Sequence, residues 1–435
     1  MAVLLLGTLD TKGVEYSYVR DLVTAAGQEV VLLDAGVMGG PAPGAGDQAP
    51  GAAGPGTGVA GPGTGVAGLA PDIGAAAVAE AGGASLDRLR SGGDRGAALR
   101  VMAAGAAKLV RELWERGRVS GVLALGGSGG SSIAAAAMAA LPVGVPKLLV
   151  STMASGDVTP YVGQRDVTLM YSVVDISGVN AISRPILGNA AAAIAAMAAA
   201  YDERRNEAPR GDRPLVAATM FGVTTPAVNA ARARLEELGY EVLVFHATGS
   251  GGRAMEALVR DGYFAGVLDL TTTELADELV GGVLSAGPER LTAAGAAGVP
   301  QVVSLGAVDM VNFGPMETVP ERFGRRRLLV HNPTVTLMRT TAEECAAIGR
   351  EIGTKLRAAT GPVALFVPRG GVSAVDVEGA PFHDPEADAA CFAAVLESVA
   401  GGDVQVVESE DDINQPRFAV AAADRLHELI EKGVA

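Results

Sequence analysis

Short unbroken apolar runs alternate with amphipathic stretches along this chain, the pattern of buried strands separated by helices. The run AVLLLG ends at Gly7 and leads into a segment whose Val19, Leu22 and Val23 share one helical face before Gly27 closes it. VVLLD follows, a strand ending on Asp34 with Gly36 just beyond, so the first 36 residues read as one β-α-β unit. An alanine-rich helix from about Ala97 to Glu115 then feeds GVLALGG. The second half repeats the plan. PLVAATMFG is a strand, Thr225 and Pro226 open a helix with Val228, Leu235 and Leu238 on one face, and Gly239 ends it before EVLVFHATG. GRVSGVLALGGSGG corresponds in position to GYFAGVLDLTTTE, and GVPKLLVST to GVPQVVSLG.

The pattern predicts an α/β chain of two Rossmann-like lobes, residues 1–205 and 206–435, with mostly parallel sheets facing across a cleft. They meet within the charged segment YDERRNEAPRGDR. Residues 39–71 interrupt the first lobe with a Gly-, Pro- and Ala-rich stretch in which GPGTGVA occurs twice in tandem. No core can be built from such a composition, so it reads as a flexible surface insertion.

Composition narrows the function classes. The chain has 435 residues, 49% of them hydrophobic, a formal net charge of −15 and two widely separated cysteines, Cys345 and Cys391. The cysteines fit neither a disulfide framework nor a zinc site. An acidic chain repels a nucleic-acid backbone, which argues against a nucleic-acid partner. No run approaches the roughly 18 apolar residues of a membrane span, and the first residues lack the basic start of a signal peptide, so a soluble, cytoplasmic protein is expected.

Candidate chemistry gathers where strands end. LALGGSGGSS matches neither the P-loop nor the dinucleotide fingerprint. Its glycines Gly127, Gly129 and Gly130, with Ser128, Ser131 and Ser132, can cradle a phosphate at a helix N-terminus. Two other readings stand beside this one. The loop can be a plain strand-to-helix turn, or Gly126, Ser128 and Gly130 can form the G-x-S-x-G turn of a serine hydrolase that uses Ser128. GTLDTK places Thr11 and Lys12 where they can meet a phosphate and Asp10 where it can hold a hydrated magnesium ion. Asp34, beside Gly36, stands where an acidic residue accepts a ribose hydroxyl, and Arg95 in GGDRGAA can fork onto a phosphate.

The second lobe carries a separate polar set. His246, Glu274, Asp309 and His331 are candidate catalytic groups, with Thr248, Gly251, Arg253, Thr272, Asn312 and Arg339 as candidate substrate contacts. Strand ends in one parallel sheet converge, so these groups are expected to be neighbours, with a histidine near carboxylates as general acid or base. His383 and His427 read as structural, and no protein metal site is expected.

Taken together, GTLDTK, LGGSGGSS, GVPKLLVSTMASGD, SVVDISGVN, GVLDLTTTE, SLGAVDMVNFGP and HNPTVTLMRTT closely resemble the ATP-binding family of the tomato mosaic virus resistance protein and its uncharacterised bacterial relatives. GVTTP and VFHATG fall in the same order, and the likeness covers nearly the whole chain. The resemblance implies a two-lobed α/β protein that binds ATP; in the plant protein this region belongs to an inhibitor of viral RNA replication. The plant protein looks longer, with a second region similar to phosphoenolpyruvate-hydrolase-like proteins, so its antiviral role is not carried over. The insertion at 39–71 departs from the family pattern just after Asp34. A homodimer is expected from the family and from the usual two-fold symmetry of soluble assemblies. The resulting expectation is an ATP-dependent enzyme acting on an unidentified small anionic metabolite in the interlobe cleft. The alternatives are a non-catalytic ATP-sensing module and the serine hydrolase.

Overall fold

Val3 and Leu5 enter one hydrophobic core while Leu4 and Leu6 enter another, so the opening strand is covered on both faces, as an unbroken apolar run requires. The structure, a computed structural model, describes residues 1–37, 69–206 and 213–434. The insertion predicted at 39–71 lies outside the described residues except for its last three. The chain divides into two units, Met1–Pro209 and Arg210–Ala435.

The first unit runs β1 (Ala2–Gly7), α1 (Leu9–Ala25), β2 (Glu29–Asp34), α2 (Ala75–Ala81), α3 (Leu86–Gly92), α4 (Arg95–Glu115), β3 (Val119–Gly126), α5 (Ser128–Ala139), β4 (Lys147–Ser151), α6 (Thr159–Val162), β5 (Thr168–Tyr171) and α7 (Ser183–Asn206). Its five strands are parallel in the order β2-β1-β3-β4-β5. One face is covered through Met102, Val110 and Ile133, the other through Tyr16, Val19 and Ile194.

The second unit runs β6 (Leu215–Met220), α8 (Thr225–Glu237), β7 (Glu241–His246), α9 (Ser250–Arg260), β8 (Gly266–Thr271), α10 (Thr273–Val280), α11 (Ala293–Ala296), β9 (Gln301–Gly306), β10 (Met310–Phe313), β11 (Leu328–Asn332), β12 (Val335–Arg339), α12 (Ala342–Arg357), β13 (Val363–Pro368), α13 (Pro385–Val399), β14 (Gln405–Ser409) and α14 (Pro416–Val434). Six strands form a parallel sheet in the order β14-β13-β9-β8-β6-β7. Apart from β14 this is the strand order of the first unit, as the matched sequence patterns predict. A separate antiparallel sheet, β10-β12-β11, departs from the expectation. Asn312, His331 and Arg339 stand on its short strands rather than at the ends of the parallel sheet. The turn between β11 and β12, where Asn332 Oδ1 accepts from Thr334 N at 2.9 Å, folds the segment back on itself.

Candidate functional site

In the first unit the strand order reverses between β1 and β3, the position where open parallel sheets leave a crevice at their carboxyl ends. The paired ladder of β1 and β3 stops at Leu6 and Ala124. Beyond it Tyr16 of α1 is wedged between the strands, its buried hydroxyl donating to the Leu6 carbonyl and accepting the Leu125 N–H at 2.8 Å. A Cβ on Gly7 would stand 2.1 Å from that ring, so glycine is required there. Burial raises the phenol's pKa well above its ordinary value and keeps the hydroxyl a donor.

Above this floor lies a cavity of about 670 Å³, within the range of small-molecule sites. Thr8, Asp10, Thr11 and Lys12 line it from the loop after β1, and Gly127, Ser128, Gly129 and Gly130 from the start of α5. Val37, Leu89, Ala98 and Leu99 form an apolar wall, and Arg90 and Arg95 stand at the same rim. Lys12 donates to the Ile176 carbonyl at 2.6 Å, while Arg95 makes no hydrogen bond or ion pair among the described residues. Most of the chain's excess negative charge falls in the second unit, so the field around this cavity is not strongly repulsive to an anion.

The glycines at the start of α5 are unusual for what they do not do. α3 and α4 are capped by Ser85 and Asp94, whose side chains accept from Arg88 N and Ala97 N, but α5 begins after Gly127 with no side-chain cap. As at any helix start its first N–H groups have no intrahelical acceptor; here no side-chain cap takes one of them, and residues 127–130 line the cavity. A Cβ would come no closer than 3.6 Å to any neighbour at Gly127, 3.5 Å at Gly129 and 3.7 Å at Gly130, which is ordinary contact. None of the three has a positive φ. Gly126 differs, because its Cβ would stand 3.0 Å from the Gly130 backbone. Gly127 is the N-cap, where glycine is ordinary, but Gly129 and Gly130 stand inside the helix, where glycine costs about 0.5–1 kcal/mol relative to alanine, so these two call for a reason other than packing or backbone angle.

Other predicted contacts of this lobe lie outside the cavity lining. Asp34 Oδ1 accepts the N–H groups of Leu9 at 3.0 Å and Gly36 at 2.9 Å, tying the loop after β1 to the end of β2. Gly36 makes room for Asp10, whose carboxylate would stand 2.5 Å from a Cβ there. Ser131 is buried and bonded to Ser151 at 2.7 Å between the hydroxyl oxygens, and exposed Ser132 donates back to the Ser128 carbonyl at 2.9 Å. The first unit contains no histidine, and Ser128 has ordinary helical backbone angles rather than the strained turn of a hydrolase nucleophile.

In the second unit the polar set is largely turned inward. Glu274 is fully buried, accepts the N–H groups of Gly249 at 2.6 Å and Gly252 at 3.1 Å, and pairs with Arg290 at 2.6 Å. The protein's own carboxylate thus occupies the anion position at the start of α9. Gly251 lets that turn close, since its Cβ would stand 1.8 Å from the His246 carbonyl, and Arg253 donates to the Ser285 carbonyl at 2.8 Å. Thr248 donates to the His246 carbonyl at 3.3 Å, and buried Thr272 donates to the Ser304 carbonyl at 3.1 Å. His246 and His331 are exposed, at the end of β7 and on β11.

Asp309 is buried and accepts from Ser373 at 2.9 Å, while Arg339 pairs with Asp376 at 3.2 Å and Asp388 at 2.5 Å. Asn312 donates its backbone and side-chain N–H groups to Asp277 at 2.6 and 2.9 Å. The catalytic and substrate expectations for Glu274, Asp309, Thr272, Asn312 and Arg339 therefore meet a different geometry, in which burial engages these groups with the fold itself. Sequence reading missed Arg290, fully buried, with its guanidinium on Asp269 at 2.5 and 2.7 Å, on Glu274, and on Glu256 at 3.4 Å. Its one signal was indirect: carboxylates on buried elements need a buried cation.

These enclosed carboxylates set a pH dependence. Burial pushes Asp277 up to about 7, and burial likewise raises Asp309, Asp376 and Asp388, which share the single Arg339. A carboxyl held protonated in the folded chain contributes stability that is complete below its unfolded pKa and is lost as pH climbs through the folded value. The thermal midpoint is expected to fall between about pH 5.5 and about pH 8, followed by circular dichroism; a midpoint that rises over that interval contradicts the assignment.

Residues 1–49 and 57–203 match the N-terminal domain, and residues 213–430 the C-terminal domain, of the family described as Uncharacterised protein family (UPF0261). The chain is similar to a UPF0261 protein of Clostridium tetani (strain Massachusetts / E88), 50% identical over 432 residues and covering 99% of each chain. A UPF0261 protein of Rhizobium meliloti (strain 1021) is 46% identical over 417 residues, 96% of each chain. The ToMV resistance protein Tm-1(GCR237) of Solanum lycopersicum is 44% identical over 341 residues, which span 78% of this chain and 45% of the tomato protein.

Proposed function

The chain belongs to the UPF0261 family, and from that premise we propose that its N-terminal unit binds ATP in the cavity at the β1–β3 crevice. The observation that carries the reading is the uncapped start of α5, led by glycines that the fold does not require, opening on a cavity with Lys12 and Arg95 at its edge. Phosphates would take the N–H groups of Ser128, Gly129 and Gly130, and glycine would allow their close approach. Val37, Leu89 and Leu99 supply the apolar surface for the nucleoside. Asp10, on the same lining, would meet a hydrated magnesium ion accompanying the phosphates.

Arg95→Ala tests this directly. The guanidinium is exposed and makes no bond among the described residues, so its loss should leave the thermal midpoint unchanged. ATP affinity measured by calorimetry should fall about tenfold, the lower end of the 1.5–3 kcal/mol range for bonds to charged groups. Unaltered affinity would remove Arg95 from the site.

An ATP-dependent enzyme acting on a small anionic metabolite would pair this site with chemistry elsewhere in the chain. The inward bonding of Glu274, Asp309 and Arg339 favours a second reading, an ATP-sensing module without turnover. Sustained ADP or AMP release with a metabolite panel assigns the enzyme; binding at one equivalent without release assigns the sensor.

A further inference from the structure

Thr152 follows β4, one strand beyond the crevice, in the segment STMASGD, which the nucleotide reading leaves without a role. Its placement is fixed from three sides. The Thr152 N–H donates to the Gly126 carbonyl at 3.2 Å, Ser151 Oγ bonds Ser131 Oγ of α5 at 2.7 Å, and the Met153 N–H donates back to Ser151 Oγ at 3.0 Å. The Thr152 hydroxyl itself makes no hydrogen bond among the described residues, and its oxygen stands 3.6 Å from where a Cβ on Gly127 would lie. The residue is partly exposed.

The two sides of the α5 start are therefore different. At Gly129 the neighbours are Leu99 and Arg95, which belong to the cavity over β2, β1 and β3. At Gly127 the neighbour is the Thr152 hydroxyl, on the side of β4. Resting on the nucleotide reading, we propose that Thr152 is a binding residue for the terminal phosphate of a nucleoside polyphosphate lying across the start of α5. A ligand with its nucleoside against Val37, Leu89 and Leu99 runs its phosphates past Gly129 and Gly127 before it reaches Thr152. Along such a chain the phosphates follow one another from the Gly129 side to the Gly127 side, and only the terminal one comes next to the Thr152 hydroxyl. The site thereby discriminates by phosphate number.

The test is equilibrium binding of AMP, ADP and ATP, with magnesium, to the intact chain and to its Thr152→Val and Thr152→Ser variants. The parent should bind ATP most tightly and AMP least. Thr152→Val keeps the side-chain shape and removes the hydroxyl, so ATP affinity should fall about two- to tenfold while AMP affinity and the thermal midpoint stay unchanged. Thr152→Ser should restore ATP binding. If Thr152→Val weakens all three nucleotides equally, or none, the terminal-phosphate role is overturned while the nucleotide site stands. A parent chain that binds no nucleotide overturns both.

Discussion

Gly129→Val is expected to abolish ATP binding, with a loss of more than about a hundredfold, while the chain keeps its fold. A Cβ at this position meets Leu99 at 3.5 Å and Arg95 at 3.6 Å, so the first carbon fits. The two further carbons of valine add bulk at the helix start, where phosphate must approach the backbone closely, and the branch restricts that backbone. Valine also has a better helix propensity than glycine, so stability should not fall. The variant thus separates loss of a ligand from loss of a structure. Gly129→Ala should give an intermediate affinity. Calorimetric titration beside a thermal melt checks both, and parental affinity in Gly129→Val would mean that the loop is only a turn.

The largest expected effect on stability comes from Arg290→Met. Arg290 is fully enclosed with Asp269, Glu274 and Glu256, and removing it leaves their carboxylates buried without a cation. Breaking a buried pair from one side costs about 3–5 kcal/mol, a large part of the stability of a domain. The loss should be relieved when Asp269→Asn and Glu274→Gln are added, because the uncompensated charge is what destabilises. Urea denaturation of the single and triple variants measures this, and a single variant within about 1 kcal/mol of the parent would show that the network does not hold the second unit.

The parallel sheets were legible because their central strands are buried on both faces and leave unbroken runs such as AVLLLG, and the edge strand VVLLD still carries two buried leucines. The strand-to-helix glycines at 127, 129 and 130 were legible for a related reason, since glycine clusters mark the backbone locally. What escaped were relations between residues far apart in sequence. Tyr16 reads as one more apolar position on α1, yet its hydroxyl meets Leu125, 109 residues away. Glu274 reads as a polar strand-end group, and only the fold brings it to Gly249 and Arg290. The antiparallel sheet was hidden because β10, β11 and β12 are four or five residues long, too short for alternation to declare itself.

Whether the crevice between β1 and β3 holds the phosphates of ATP at the start of α5 is decided by a crystal structure of the chain with a non-hydrolysable ATP analogue and magnesium. The analogue is expected in the cavity, its phosphate oxygens within hydrogen-bonding distance of the N–H groups of Ser128, Gly129 and Gly130. An analogue bound only in the second unit, or a cavity left empty at saturating analogue, would contradict that placement.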